Sequence, residues 1–241
     1  MGSEAVLSRR IEKKFLLNLA QYEAILPLLL PYMKEDEFAH SLITNVYYDT
    51  PSYMLIRRSI EKPLYKEKLR VRSYGVPGAD SSVFVEIKKK FDGVVYKRRI
   101  PMTSREAERY LAGEIDCPKP CQIGREIDYF RSLYLGLAPA MYISYERYSL
   151  ASRDDGSVRI TFDRNITWRA TDVRLESGVY GEKLLPEDRI LMEIKIPGVY
   201  PLWLVDILER LEIRQGSFSK YGNIFLTALR EGKIQLTGER K

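Results

Sequence analysis

Apolar and polar residues alternate one by one over much of this chain. The clearest run is Lys66-Glu67-Lys68-Leu69-Arg70-Val71-Arg72, with a cation at every second position. Residues i, i+2 and i+4 of a strand share a face. This segment therefore predicts a strand with Lys66, Lys68, Arg70 and Arg72 on one side and Leu69 and Val71 on the other. The same period predicts strands over 7–17, 42–49, 64–74, 82–91, 94–100, 140–152, 157–164 and 189–196. Helices are expected over 18–34, 103–113, 123–137, 201–214 and 219–231. Thr103-Ser104-Arg105-Glu106 reads as a capping box with Gly113 as its stop, and Pro201 suits a first helical turn. Phe91-Asp92-Gly93 and Arg153-Asp154-Asp155-Gly156 read as hairpin turns. With no internal repeat or low-complexity linker, residues 1–241 are expected to form a single α+β domain of roughly eight antiparallel strands and several helices.

Five more segments pair an apolar face with a charged one. Arg10, Glu12 and Lys14 share a face, as do Glu86, Lys88 and Lys90, with Val83, Val85 and Ile87 opposite. Tyr145 goes with Arg147, Arg159 with Thr161 and Asp163, and Glu193 with Lys195. A half-solvated sheet gives the same alternation strand by strand. The concentration of charge points further. Arg10, Lys14, Lys66, Lys68, Arg70, Arg72, Lys88, Lys90, Arg147, Arg159, Lys195 and Lys220, set against Glu12, Glu86, Asp163 and Glu193, carry +8 in a chain of net charge +6. If that surface lines a closed barrel, its acids cannot neutralise its cations. An unpaired ion costs several kcal/mol to desolvate, so such an interior holds water and, in function, a dense anion. Arg forks and Lys ammonium groups suit a triphosphate. The minority acids, Glu193 first, suit a hard divalent ion bridging phosphate oxygens; pairing with neighbouring cations is the alternative for Glu12 and Glu86.

Composition narrows the chemistry. A single histidine, His40, argues against Ser-His-Asp and Cys-His nucleophiles, and Cys117 and Cys121 alone make a poor zinc site. No apolar stretch approaches the roughly 20 residues of a membrane span, and the N-terminus lacks a signal-peptide pattern. A cytoplasmic protein is the default expectation, compatible with a membrane module on a partner chain.

Taken in order, Glu12-Lys13-Lys14, Val46-Tyr47-Tyr48-Asp49-Thr50, Lys68 to Gly75, Val85-Glu86-Ile87-Lys88, Tyr145-Glu146-Arg147, Val158-Arg159-Ile160, Met192-Glu193-Ile194-Lys195 and Ser217 to Tyr221 resemble the VTC-type polyphosphate polymerase domain. That domain is a branch of the triphosphate tunnel metalloenzymes, the CYTH-like superfamily. The resemblance runs from Arg10 to about Leu229. It implies an eight-stranded antiparallel β-barrel, a tunnel with flanking helices. The implied activity is ATP-polyphosphate phosphotransfer: the γ-phosphate of ATP joins a growing polyphosphate chain, ADP leaves, and Mn²⁺ or Mg²⁺ is required. ATP and inorganic polyphosphate are the implied partners, and nucleic acid is not expected.

Carried onto this sequence, Lys14, Arg70, Arg72, Lys88, Arg147, Arg159 and Lys220 become the catalytic cations. Glu12, Lys68, Lys90, Lys97, Tyr145, Lys195 and Ser219 become substrate ligands, and Glu193 the metal ligand. Lys97-Arg98-Arg99 offers a charge to either face. Two departures stand out. The superfamily opens on Glu-x-Glu-x-Lys, whereas this chain has Arg10-x-Glu12-x-Lys14, which disfavours the two-metal triphosphatase and cyclase branches. Lys90 stands where eukaryotic members have a histidine. A metal-dependent triphosphatase and a non-catalytic polyphosphate- or RNA-binding module are the alternatives.

Overall fold

The computed structural model describes residues 10–92 and 94–236, without the side chain of Arg10. The expected strand start at 7–9, the role of Arg10 on its face and Gly93 of the expected turn lie outside the described residues. In chain order the elements are β1 (Arg10–Asn18), α1 (Leu19–Leu29), β2 (Met33–Asp49), α2 (Met54–Ile60), β3 (Tyr65–Tyr74), β4 (Ser82–Phe91), β5 (Val94–Thr103), α3 (Ser104–Ala112), α4 (Gln122–Leu133), β6 (Ala138–Ser152), β7 (Arg159–Arg169), β8 (Glu182–Lys183), β9 (Arg189–Pro197), α5 (Leu202–Arg210), β10 (Gln215–Gly216) and α6 (Lys220–Arg230). No helix among the described residues is long and apolar enough to cross a membrane.

The strands form one ten-stranded sheet in the order β10-β1-β9-β7-β6-β2-β3-β4-β5, with β8 beside β7. The α+β class is as expected, but the barrel detail is corrected. The sheet has ten strands rather than eight, the extra two being the two-residue β8 and β10. Its order ends at β10 and β5, with no pairing recorded between them among the described residues.

The chain packs as two compact units. Among the described residues, the first comprises 10–41, 146–165 and 185–218. Its core comes from alternate positions of β1, β7 and β9, including Phe15, Leu17, Ile160, Phe162, Met192 and Ile194, covered by Leu29 of α1 and Leu204 of α5. Asn18 starts α1 with a complete capping box. The second comprises residues 42–92, 94–145, 166–184 and 219–236. Val46, Leu69, Val71, Val85, Ile87 and Ile100 pack there against Tyr110 and Leu111 of α3 and Ile127 and Phe130 of α4. Thr103 and Glu106 form the expected capping box of α3, and Gly113 ends it at φ +83°, where a side chain would be strained. Cys117 and Cys121 are both free; the Cys121 sulfur caps α4, accepting from the Gly124 N–H at 3.4 Å.

Two elements depart from expectation. β2 begins at Met33 rather than 42, because its first half is largely polar and exposed and lacks a regular period. α2 has no side-chain cap at its own N-cap, Tyr53, which sits at φ +55°. Its first amides are held from a distance: buried Asp49 accepts from Leu55 and Ile56 N–H at 2.9 and 3.0 Å, and from the Tyr221 hydroxyl at 3.0 Å.

Candidate functional site: two charged strand faces

In the second unit, the register of β2 to β5 builds one polar face row by row. Tyr47 stands opposite Arg70, Arg70 opposite Glu86, and Glu86 opposite Arg99. One row along, Lys68 faces Lys88 and Lys88 faces Lys97; beyond it, Lys66 faces Lys90. Direct neighbours in antiparallel strands share a face, so all these side chains project the same way. Leu69, Val71, Val85, Ile87 and Ile100 take the other side and are buried. The triplet in β5 is thereby resolved. Lys97 and Arg99 join the charged face, whereas Arg98 points away and pairs with Glu126 of α4 at 2.5 Å.

Glu86 organises this face. Only 1% exposed, it receives Arg70 Nε at 2.8 Å and Arg70 Nη2 at 2.6 Å on one oxygen, with Lys97 Nζ at 2.8 Å on the other and Arg72 Nε at 3.9 Å. One carboxylate thus serves three cations. Burial raises the Glu86 carboxyl, but Arg70, Arg72 and Lys97 outweigh it and bring it down to about 2. Lys97 loses the competition. Burial and the neighbouring Arg70 and Arg72 lower it to about 8 in spite of Glu86. Tyr47 enters the same balance. Although burial opposes ionisation, Arg70, Lys68 and Arg72 bring its hydroxyl down to about 8, and that oxygen accepts from Arg70 Nη1 at 2.9 Å.

Arg72 is buried and oriented from two sides, donating to Asn45 Oδ1 at 2.9 Å and to the Tyr145 hydroxyl at 3.1 Å. Lys220, the first residue of α6, lies over the Tyr145 ring at 4.5 Å, and Lys68 over Tyr221 at 5.9 Å. Ser219 proves to be the N-cap of α6, its hydroxyl accepting from Gly222 N–H at 3.2 Å. The structure therefore gathers Lys68, Arg70, Arg72, Lys88, Lys90, Lys97, Tyr145, Ser219 and Lys220 in this unit.

In the first unit, β1, β9 and β7 build a mixed face. Glu12 stands opposite Lys195 and Lys195 opposite Arg159; in the next row Lys14 faces Glu193 and Glu193 faces Thr161. The Glu193 carboxylate has Lys14 at 3.5 Å, Lys195 at 3.7 Å and Arg147 at 3.9 Å, and Lys14 also meets Glu12 at 3.5 Å. Arg147 grips buried Asp163 through two bonds of 2.6 and 2.7 Å. Arg159 reaches Asp36 of β2 at 3.1 Å. Here the acids match the cations more evenly than on the other face.

Three participants are not evident as site residues from the sequence. Tyr47 lies in the Val46-to-Thr50 segment that carries the resemblance, but no role is assigned to it there. Asn45 has none, because its part depends on facing Arg72 across the ladder. Asp36 belongs to the irregular half of β2.

No curated protein sequence matches the chain. Among solved structures, a candidate adenylate cyclase from Bacillus halodurans shares 16% identity, with a TM-score of 0.54 over 88% of this chain and 95% of that one. Another from Vibrio parahaemolyticus shares 14% identity, with a TM-score of 0.50 over 90% of this chain and 98% of that one. Such identities carry the fold alone. The VTC domain matches residues 9–228, nearly the whole length on which the charged faces are built. The chain belongs to the VTC domain family.

Proposed function

We propose that this protein is an ATP-polyphosphate phosphotransferase, moving the γ-phosphate of ATP onto the end of an inorganic polyphosphate chain and releasing ADP. One observation carries the reading. On β3, β4 and β5, lysines face lysines directly across the ladder, beside two arginines that share a single buried carboxylate. Like charges set opposite one another destabilise a sheet, and an anion of high charge density offsets that cost. In the transfer, a terminal oxygen of the polyphosphate chain forms a bond to the γ-phosphorus while the bond to the β–γ bridging oxygen breaks, and the electron pair leaves with ADP. The acceptor is already anionic, so no general base is needed, and catalysis rests on positioning and charge stabilisation. Arg70 and Arg72 hold the triphosphate, and Lys88, Lys90, Lys68 and Lys97 take the adjoining phosphates. Lys14, Arg147, Arg159, Lys195, Lys220, Tyr145 and Ser219 are further phosphate ligands in this reading.

The family is associated with a divalent ion. Among the described residues no group of three His, Cys, Asp or Glu side chains could hold one alone. Mg²⁺ and Mn²⁺ accept one or two carboxylates and complete their shell with substrate oxygens and water. Glu193 fits that requirement, with Glu12 beside it through Lys14. Cations around Glu193 disfavour an ion bound without substrate and suit one arriving with the triphosphate. When bound, the ion would neutralise phosphate charge.

Purified protein given ATP with Mn²⁺ or Mg²⁺ should yield ADP and a polyphosphate ladder, and Arg70→Ala or Lys88→Ala should abolish both with the fold retained. Free phosphate without a ladder would replace the reading with a triphosphatase. Polyanion binding without ATP turnover would reduce it to a binding module.

A further inference from the structure

The face of β3 to β5 has a second end that phosphate binding leaves unused. Tyr74 closes β3 in unbroken register with Ile43 of β2, and shares the side of Arg70 and Arg72. Phe84 stands opposite Arg72, and Arg99 opposite Glu86, so both lie on that side too. The three groups touch. Tyr74 meets the Phe84 ring edge-on at 6.0 Å and 85°, and the Arg99 guanidinium lies 4.3 Å from the Phe84 centroid. The core behind them is supplied by Val71, Val85 and Ile100. Tyr74 nonetheless stays 52% exposed and Arg99 is exposed. Two aromatic rings and a planar cation thus sit on a polar face where packing does not require them.

Their position completes a gradient along the strands. Lysine rows occupy one end; Arg70, Glu86 and Arg99 share the next row, Arg72 and Phe84 the row after it, and Tyr74 the far end, with the Arg99 guanidinium over the Phe84 ring. At about 3.3 Å per residue, Tyr74 lies roughly 7 Å along the strand from Arg72 and roughly 13 Å from Arg70. That is the scale on which a nucleoside triphosphate separates its base from its terminal phosphates. We propose that Tyr74, Phe84 and Arg99 form a nucleobase subsite, in which the base of a nucleoside triphosphate stacks on the Tyr74 ring and the Arg99 guanidinium. The proposal rests on the reading that Arg70 and Arg72 hold the triphosphate. It also gives the face a direction: the nucleoside lies at the aromatic end and the polymer at the lysine end. Every base presents a π-face, so stacking of this kind tolerates base identity, and ATP and GTP should bind alike.

Calorimetric titration of ATP and of inorganic tripolyphosphate, without metal, tests the subsite. In Tyr74→Ala the affinity for ATP should fall about tenfold, within the range of a lost base–aromatic stack, while that for tripolyphosphate changes by less than about twofold. Tyr74→Trp should restore ATP binding, and Arg99→Lys, which keeps the charge but loses the plane, should weaken ATP selectively. If wild type binds both ligands and the variants weaken both equally or neither, the subsite is overturned while the triphosphate site stands. If wild type binds neither ligand, the triphosphate reading falls and the subsite with it.

Discussion

Replacing Glu86 with Gln removes the one negative charge shared by Arg70, Arg72 and Lys97 while keeping the shape of the side chain. Breaking a buried pair by deleting one partner costs about 3–5 kcal/mol, because the surviving charge is left uncompensated. Gln still accepts a hydrogen bond and Lys97 is partly exposed, which places the cost near the lower bound, about 3 kcal/mol. For a chain of this length that corresponds to a fall in Tm of roughly 6–12 °C. The substitution should act oppositely on ligand binding. A bound triphosphate no longer shares its cations with a carboxylate, so tripolyphosphate should bind about tenfold more tightly to the variant, a gain of about 1.4 kcal/mol. Tripolyphosphate at a hundred times its Kd returns about 2.7 kcal/mol, nearly offsetting the loss. Thermal denaturation of both proteins, with and without tripolyphosphate, measures these quantities together. An E86Q variant as stable as wild type, or one that binds tripolyphosphate more weakly, would refute the view that Glu86 is a placeholder for substrate charge.

The pH response follows from Lys97 and Tyr47, both titrating at about 8 in the folded chain. Above that range the face loses positive charge, so tripolyphosphate affinity should fall between pH 7 and 9, and binding near pH 8 should take up protons, detectable by calorimetry in two buffers. Both groups have folded values below their usual ones, so the unfolded chain binds more protons between about pH 8 and 10, and the ligand-free protein should become more stable as pH rises through that window. Asp49→Ala should cost about 2–4 kcal/mol by freeing the first amides of α2 and the Tyr221 hydroxyl, read from the denaturant midpoint. Arg169 is buried, donates to the carbonyls of Asp172, Arg174, Gly178 and Tyr180, and stacks on Tyr142 and Tyr180. Arg169→Lys keeps the charge but loses the fork, so amide exchange in 172–181 should quicken with little change elsewhere.

Single-residue alternation makes eight strands legible in the amino-acid sequence, because a sheet with one apolar face writes its period of two into the chain. β3 and β4 match the expected 64–74 and 82–91 to within a residue. The same rule fails where neither face is buried. Residues 34–41 of β2 carry no regular alternation, yet they belong to the strand that begins at Met33. α2 escapes for a different reason: Asp49, the residue that steadies its start, lies outside the first turn where capping signals are sought. On the charged faces, parity places Arg70 with Arg72 and Glu193 with Lys195. Partner choice depends on register, which is a property of strand pairs. That is why the bond of Lys97 to Glu86, the turn of Arg98 toward α4 and the grip of Arg147 on Asp163 are not legible in a single chain of letters. The Ser219 hydroxyl accepts the Gly222 amide as the cap of α6, which leaves its own O–H as a donor.

The opposed lysines of β3, β4 and β5 also bear on how a polyanion would be held. A polyphosphate chain in solution condenses small cations around itself. Lysines that neutralise its phosphates would release those ions, so much of the driving force would be the entropy of their release. Affinity then falls as a power of salt concentration, with an exponent set by the number of ion contacts exchanged. The slope of log affinity against log salt would therefore act as a ruler. Measured with chains of increasing length, it should steepen with each added phosphate until the lysine rows are filled, and then stay constant, giving the length of polymer the face holds at one time.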